Sequence, residues 1–572
     1  TGAEQEQQQQ QQMLDLKTND DEERQKYDQI LHPDKYPNKR HSRILQSLGP
    51  CTLKYFDAQW EDEIIEASEL LSSESNTFDL SGNDTIYVDA SIQYSSPEPM
   101  ELSNWRCEVD EETAMATGQF MYEIEGLDQA FFDNPAVQPG DTTIQGGMIV
   151  DDKYVVPSSA EIQLGQVVDD DDEEQVDSDI GKRRHRRRLV QTTGTKNVLV
   201  VRVQGADGGS AASVDELKTL TFGLDNPNLR TQMDGCSGGK LQMLPYNGPT
   251  NNGNGQFING GVISIFINAN FDGASMFSAE AAVRQKLFDT VGSLSQFDHI
   301  MMCLPPGTNG PIGYAYLNDR VSVYNEYKKN GQQQAWCAAV SIQMHEIGHN
   351  LDLYHSGKNG NQYAGTSGVM GFSTAEKNFP KSCFNAAKEF QLNWFPGRDP
   401  RINVNSIING GGIRTELIPS ASFKSYATDN SKDLLLRIPI PGEDDYYIAY
   451  NRKVFANDQT PQGGDKLVVV QSALRETSNE ITEIGVGQTL VIDNANYAGT
   501  NSPIQVRFTK REGPLNEVAV VDTFFISADC TPSSCGDGPQ TPNPTPPTPN
   551  PTPPTPSPTP PTPSPTPPTP SP

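Results

Sequence analysis

The sequence predicts an α/β domain with a partly parallel sheet, flanked on both sides by β-rich segments and followed by a proline-rich tail. Two observations support this fold class. Between residues 196 and 351, apolar runs alternate with stretches of helical spacing, which is typical of an α/β layer. Before residue 165 and after residue 398, short runs of alternating apolar and polar residues follow one another, which is typical of β structure.

The elements follow in chain order. The central part predicts strands over 196–205 (KNVLVVRVQG), 260–268 and 297–307, a helix over 278–294, and a longer helix over 331–351. Three stretches predict strands before this part: 85–94, 118–126 and 146–157. Five stretches predict strands after it: 433–440, 445–455, 465–472, 488–492 and 504–511.

A linker with two opposite charge runs precedes the α/β part. It reads DDDDEE (169–174) and then KRRHRRR (182–188), and a folded core could bury neither run. Arg184-His185-Arg186-Arg187 has the R-x-x-R pattern that resembles furin-type convertase sites, with Arg188 as an alternative cut point. A solvated patch or a nuclear-import signal is the alternative interpretation of this run.

The charge balance changes at this linker. Residues 1–188 hold 16 Lys and Arg against 41 Asp and Glu, a net charge of −25, and the rest of the chain carries −6. We therefore predict a propeptide with its linker (1–188), the α/β domain (189–400), a β-rich C-terminal region (401–535) and the tail (536–572). The net charge of −31 argues against nucleic-acid binding, because phosphate contacts need a basic surface. No apolar run approaches the roughly 20 residues of a membrane helix.

Several features favour a secreted, extracellular protein. Asn83-Asp84-Thr85 is a glycosylation sequon, and eight cysteines suit disulfides in an oxidising compartment. The chain begins at Thr1 without a signal pattern, and we interpret this as the result of signal-peptide removal. Residues 541–572, mostly PTPPTPSP, predict extended polyproline II in a glycosylated stalk, although a ligand for aromatic-lined grooves is the alternative.

The histidines are concentrated in one segment, MHEIGHNLDLYH (344–355). From residue 189 onward the chain has four histidines, and His345, His349 and His355 fall within eleven residues. On a helix, His345 and His349 share one face and can bind one metal ion, while Glu346 lies about 100° away around the axis. His355 completes the site only if the helix ends soon after His349. Three imidazoles leave a fourth position open, as in catalytic zinc sites.

This segment resembles the metzincin metalloprotease frame HExxHxxGxxH, followed by a methionine turn for which Met370 in SGVMGFS is the candidate. Within metzincins the chain is most similar to gametolysin (autolysin, peptidase M11), through HEIGHNLDLYHSG, GVMG and KSCFNAAKEFQLNWF (381–395), over roughly 195–400. The resemblance implies a Zn²⁺-dependent endopeptidase with Glu346 as catalytic base and a metzincin-like twisted mixed sheet carrying the active-site helix. It also implies protein substrates in a cell wall or matrix, such as Pro/Hyp-rich glycoproteins. Tyr354 and Tyr363 are both candidates for stabilising the oxyanion.

Asp352 departs from this frame, since metzincins carry glycine there. The position calls for a positive φ, which Asp tolerates at a cost of roughly 1–2 kcal/mol. We therefore expect the aspartate to be tolerated. In the alternative, Asp352 is itself the third ligand.

The two cysteines of the predicted propeptide have two alternative roles. Cys107 in NWRCEVDEE resembles the arginine-cysteine switch of matrix metalloproteases, in which a thiolate blocks the zinc. The alternative is a Cys51–Cys107 disulfide. Cys530 and Cys535 are close enough in sequence to close a small loop.

These features predict a secreted zinc endopeptidase made as a proenzyme and processed by a convertase at Arg184–Arg188. Two alternatives stay open at this point. One is an inactive, metalloprotease-like cell-wall glycoprotein that acts as a binding or structural component. The other is a zinc amidase that acts on wall polymers.

Overall fold

The computed structural model describes most of the chain between residues 23 and 525. The described ranges are 23–32, 35, 50–59, 85–89, 101–165 without 118, 135, 151 and 152, 192–250 without 226, 257–329, 332–371, 380–399, 412–440, 443–493 and 503–525. Four predicted features lie outside them: the processing site Arg184–Arg188, the tail, Asn83 of the sequon, and the pair Cys530 and Cys535.

The N-terminal part, up to residue 165, is built mainly of short strands. They are β1 (Cys51–Gln59), β2 (Thr85–Asp89), β3 (Trp105–Val109), β4 (Met121–Glu125), β5 (Thr143–Gln145), β6 (Met148–Val150), β7 (Lys153–Val155) and β8 (Glu161–Gln163). The helices are α1 (23–31), α2 (Glu111–Thr117) and α3 (Gln129–Phe132).

The central part mixes strands and helices. The strands are β9 (Gly194–Gly205), β10 (Gly208–Gly209), β11 (Leu241–Pro245), β12 (Gly248–Pro249), β13 (Phe257–Ile258), β14 (Val262–Phe266), β15 (His299–Cys303), β16 (Gly313–Tyr316), β17 (Val321–Tyr324), β18 (Glu326–Lys329), β19 (Gln332–Ala335) and β20 (Ser356–Gly357). The helices are α4 (Val214–Phe222), α5 (Leu229–Cys236), α6 (Met276–Val291), α7 (Val340–Asn350) and α8 (Ala386–Leu392).

The C-terminal part consists of strands with short 3-10 turns. The strands are β21 (Ile413–Leu417), β22 (Leu435–Ile438), β23 (Asp445–Asn451), β24 (Lys466–Ser472), β25 (Ser478–Ile484), β26 (Thr489–Asp493), β27 (Ile504–Glu512) and β28 (Val518–Phe525).

A large mixed sheet organises the central part around β9. This strand pairs in parallel with β11, β14 and β15, and β15 pairs in parallel with β17. The run Val198–Val201 is fully buried, as expected for a strand covered on both faces. Strand β16 is the outermost central strand on this side of the sheet; it runs antiparallel to β17 and on its other side pairs with β1. A mixed α/β fold is therefore confirmed.

Most of the predicted central elements are confirmed within two or three residues of their ends, including the helix predicted over 278–294. Ser275 caps this helix (α6) through a bond from the Ser278 amide, and Gly292 ends it with φ of 77°. The helix predicted over 331–351 is wrong in its first half. Gln332–Ala335 pairs instead with β18, and α7 begins only at Val340, after the disulfide between Cys303 and Cys337.

The sheets do not follow the predicted segment boundaries. Two five-stranded sheets, ordered β2-β26-β27-β28-β21 and β20-β25-β24-β23-β22, enclose an apolar core in the C-terminal part. Strand β2 comes from the N-terminal part and β20 from the central part. The predicted division of the chain into 1–188, 189–400, 401–535 and 536–572 therefore remains a prediction. Among the described residues, no helix is long and apolar enough to cross a membrane.

Candidate metal centre

Helix α7 carries His345, Glu346 and His349, and all of its residues are buried. Both of its ends are fixed by side-chain amides. Near the start, the Gln343 amide donates to the Cys337 carbonyl at 2.7 Å. At the end, the Asn350 amide donates to the carbonyls of Tyr316 on β16 and Val321 on β17, each at 3.0 Å. The helix is thereby held on the antiparallel pair of β16 and β17 within the large sheet.

The chain reverses immediately after α7. Asp352 has φ of 71°, its amide donates to His349 O at 2.8 Å, and the Leu353 amide donates to Gly348 O at 3.0 Å. These bonds form a Schellman-type helix end with Asp352 in the left-handed position. The helix therefore ends soon after His349, which is the condition under which His355 can complete the site, and the chain brings His355 back toward the first two histidines.

Each of the three histidines donates from Nδ1 to an oxygen. The acceptors are Val369 O for His345 at 3.2 Å, Leu353 O for His349 at 2.8 Å, and the Gln362 side-chain oxygen for His355 at 3.0 Å. Because a carbonyl oxygen can only accept, the proton is on Nδ1 and the Nε2 lone pair is left for a ligand. This is how histidines in metal sites are usually oriented.

The three rings face one another in a buried cluster. One nitrogen from each ring lies within 4.8 Å of the other two, and the ring centroids are 4.8–5.3 Å apart. The Nε2 atoms of His345 and His355 have no hydrogen-bond partner. Burial lowers the pKa of both rings to about 3 and places that of His349 well below its ordinary value. Neutral imidazoles with unused lone pairs fit a bound cation such as zinc.

Glu346 is fully buried, and neither carboxylate oxygen has a hydrogen-bond partner. Burial, together with the nearby negative charge of Asp57, raises the pKa of Glu346 well above its ordinary value. The carboxylate lies against β16, where a Cβ on Gly313 would come within 2.8 Å of Oε1. A buried carboxyl with free oxygens next to three imidazoles is able to exchange a proton with a molecule bound there.

Met370 packs beneath the helix as the methionine turn predicts. Its sulfur lies so close to Gly348 that a Cβ at this glycine would overlap it. The neighbouring Val369 supplies the carbonyl that orients His345. The turn therefore fixes both the underside of α7 and one histidine ring.

Asp352 does not join the three histidines. Its carboxylate forms an ion pair with Arg475, with Oδ2 and Nε 2.5 Å apart. The alternative in which Asp352 is the third ligand is therefore not the observed arrangement. The aspartate instead joins the end of α7 to the loop between β24 and β25.

Two residues at the site were missed or left undecided by the sequence. Asp57 on β1 places Oδ2 3.5 Å from His355 Nε2, and no motif in the sequence marks it. Tyr363 packs against His355 with ring centroids 4.2 Å apart and planes inclined at 45°, whereas Tyr354 packs against the apolar core of the N-terminal part. The geometry thus places the Tyr363 ring beside His355.

The cysteines form three disulfides among the described residues: Cys51–Cys107, Cys236–Cys383 and Cys303–Cys337. The predicted Cys51–Cys107 alternative is confirmed. Cys107 is fully buried in that bond, so the prediction that its thiolate blocks the metal is wrong for this structure.

Comparison with known families identifies the part of the chain that carries this site. The family model described as Gametolysin peptidase M11 matches residues 200–456. This region is a peptidase M11 domain. It contains α7, the three histidines, Met370 and the beginning of the C-terminal strands, so the chain carries a metallopeptidase domain.

Other comparisons add little to the M11 assignment. Crystal structures of wild-type OgpA from Akkermansia muciniphila in two crystal forms are similar at 14% and 13% identity, with TM-scores of 0.25 and 0.24. Each match covers 60% of this chain, and 96% and 95% of the OgpA chains. At these TM-scores the likeness supports no inference. No curated protein sequence matches significantly.

Proposed function

We propose that the M11 domain is a zinc-dependent endopeptidase, made as a proenzyme and secreted, that hydrolyses proteins of a cell wall or extracellular matrix. The observation that supports this most is the buried convergence of His345, His349 and His355 beside Glu346, with the proton of each imidazole held on Nδ1. We assign these three histidines as the metal ligands and Glu346 as the catalytic base.

The donor set favours zinc over other common cations. Calcium and magnesium prefer oxygen ligands, whereas three imidazoles with one open position are typical of catalytic zinc. Held by His345, His349 and His355, zinc would supply a Lewis acid for the scissile carbonyl and would lower the pKa of a bound water toward neutral.

The protein's own groups carry the proton transfers. Glu346 accepts a proton from the attacking water and delivers it to the leaving nitrogen. Its carboxylate can do so because it is buried without a hydrogen-bond partner. Met370 packs under α7 and the Nδ1 acceptors orient the rings, so the site is organised before a substrate binds.

Secretion and the substrate class are inferred from the disulfides, the matching family and the proline-rich tail. Three disulfides among the described residues suit an oxidising compartment. The matching family is that of gametolysin, and the proline-rich tail fits an extracellular matrix. We infer protein substrates in such a matrix, with Pro/Hyp-rich glycoproteins as first candidates, and activation by a convertase at Arg184–Arg188.

The test compares processed wild type with Glu346→Gln on a protein substrate, with and without a chelator. We expect chelation to abolish cleavage and Glu346→Gln to lose it while retaining one zinc per chain. Asp215→Asn, an exposed carboxylate on α4, is the matched control and should remain active. If cleavage survives both the chelator and Glu346→Gln, the mechanism is refuted. If processed wild type binds zinc and cleaves nothing, the alternative of an inactive binding glycoprotein gains support.

A further inference from the structure

Strand β1 of the N-terminal part pairs with β16, the outermost strand that the M11 domain contributes to the large sheet. Residues 56–59 pair antiparallel with residues 313–316 of β16, whose other side pairs with β17. An extended peptide commonly binds a sheet edge by adding a strand to it. Strand β1 therefore lies where an extended substrate next to the metal centre would lie.

The side chains of β1 alternate between two environments. Phe56 packs against Phe277 and Tyr314, with ring centroids 4.8 and 5.8 Å apart, on the apolar side of the sheet. The next residue, Asp57, faces the opposite way, with Oδ2 3.5 Å from His355 Nε2 and 4.0 Å from His349 Nδ1. The strand thus directs one carboxylate at the imidazoles.

The backbone after Asp57 is also held by the site. Tyr363 donates its hydroxyl hydrogen to the Ala58 carbonyl at 2.8 Å, while its ring packs against His355. A donor directed at a peptide carbonyl beside a metal centre is the type of group that stabilises a carbonyl under attack. The segment therefore presents both a carboxylate to the imidazoles and a peptide carbonyl to Tyr363.

Buried ion pairs hold this segment against the rest of the protein. Lys54 on β1 pairs with Asp319 at 2.5 Å, and Glu108 on β3 pairs with Arg284 on α6 at 2.8 Å. The side chains of Lys54 and Arg284 are 9% and 3% exposed. None of the three disulfides among the described residues joins the N-terminal part to the M11 domain. Within the described residues, the two parts are therefore held by noncovalent contacts.

We propose that residues 51–59 are an internal inhibitor, in which Asp57 supplies the fourth donor to the metal centre while the backbone around Ala58 fills the substrate position. This rests on the proposed peptidase function. A carboxylate is a normal zinc ligand, and three imidazoles with one carboxylate complete a four-coordinate site. The position needed by the attacking water is then closed, and the sheet edge needed by the substrate is occupied.

The test uses the uncleaved chain loaded with Co²⁺, whose visible absorption reports its ligands. Wild type is compared with Asp57→Asn, Asp57→Ala and the control Glu123→Gln, an exposed carboxylate on β4 of the same N-terminal part. Each protein is titrated with acetohydroxamate, which needs an open metal position. We expect both Asp57 variants to change the Co²⁺ spectrum and to bind the probe on the order of tenfold more tightly, with Glu123→Gln behaving as wild type.

A second arm measures cleavage of a protein substrate before processing. We expect both uncleaved Asp57 variants to be active where uncleaved wild type is silent. Identical spectra and probe affinities in all four proteins would overturn the role of Asp57. Asn preserves the size of the side chain, and near-ultraviolet circular dichroism identifies a variant that has not folded.

The two proposals fail separately. Inactive processed wild type refutes the peptidase, whereas active processed wild type with silent, spectrally unchanged Asp57 variants refutes only the inhibitor.

Discussion

Replacing Asp352 by glycine should destabilise the protein and leave the metal bound. Glycine adopts the positive φ of this position without a Cβ penalty, and this stabilises the folded protein by about 1 kcal/mol. The substitution also removes the ion pair between Asp352 and Arg475, whose side chains are 2% and 12% exposed, respectively. Breaking a buried pair typically costs about 3–5 kcal/mol, because the remaining charge loses its partner.

The surroundings of Arg475 place the loss at the lower end of that range. Its Nη1 stays 3.2 Å from Gln138 Oε1 and 3.9 Å from Asp141 Oδ2. We therefore expect a loss of about 3 kcal/mol, offset by about 1 kcal/mol, and a net destabilisation of about 2 kcal/mol. Zinc content should stay at one per chain, since the carboxylate does not face the imidazoles.

The assay is denaturant unfolding of the zinc-loaded protein together with metal analysis. Asp352→Asn is the matched control, since asparagine tolerates positive φ and lacks the charge. It should lose the ion pair without the gain from glycine. Arg475→Met completes a double-mutant cycle, in which we expect a coupling of at least about 1 kcal/mol. Zinc loss in Asp352→Gly would mean that the third ligand is assigned wrongly, and zero coupling would refute the role of the pair.

Three further predictions concern the site and its surroundings. Gly313→Ala should push the Glu346 carboxylate aside and lower kcat at least about tenfold with zinc retained, and unchanged kcat would contradict the contact. Tyr363→Phe in the processed enzyme should lower kcat about 10–100-fold and change KM little, measured on a peptide substrate; an effect on KM alone would argue against carbonyl stabilisation. Burial raises the pKa of the Glu389 carboxyl from an ordinary 4.5 to about 8. The stability that the protonated carboxyl contributes is therefore complete below pH 4.5 and is lost as pH rises through about 8. Glu389→Gln should therefore remove several kcal/mol, roughly 3–5, of the fall in unfolding free energy between pH 5 and 9, and an unchanged pH slope would refute this.

The sequence predicted best where local pattern and tertiary environment agree. The strand at Gly194–Gly205 and the helix at Met276–Val291 have strong periodicity and clear ends, and both were found. The first half of the helix predicted over 331–351 failed because Gln332–Ala335 has helix-forming residues that pair with β18 instead. Propensity is a weak prior, and here the hairpin partner overrode it.

The histidine cluster was predictable because its spacing is local. His345 and His349 share a helix face by sequence separation alone, and a turn returned His355 to them. Arg475 was not predictable in the same way, since it lies 123 positions after Asp352 and reaches it only through the C-terminal sheets. The sequence predicts that an aspartate at position 352 tolerates a positive φ, but it does not predict which cationic side chain pairs with the carboxylate.

Asp57 marks a different limit of sequence reasoning. A carboxylate that binds a metal from another part of the chain needs no motif, because the strand pairing of β1 with β16 supplies its position. A cysteine is easier to notice as a candidate blocking ligand, which is why Cys107 was proposed and why its disulfide with Cys51 decides against it. That disulfide joins the start of β1 to β3 next to it, five residues before Phe56 reaches β16. The same cysteine that was expected to block the metal thus braces the strand that carries Asp57.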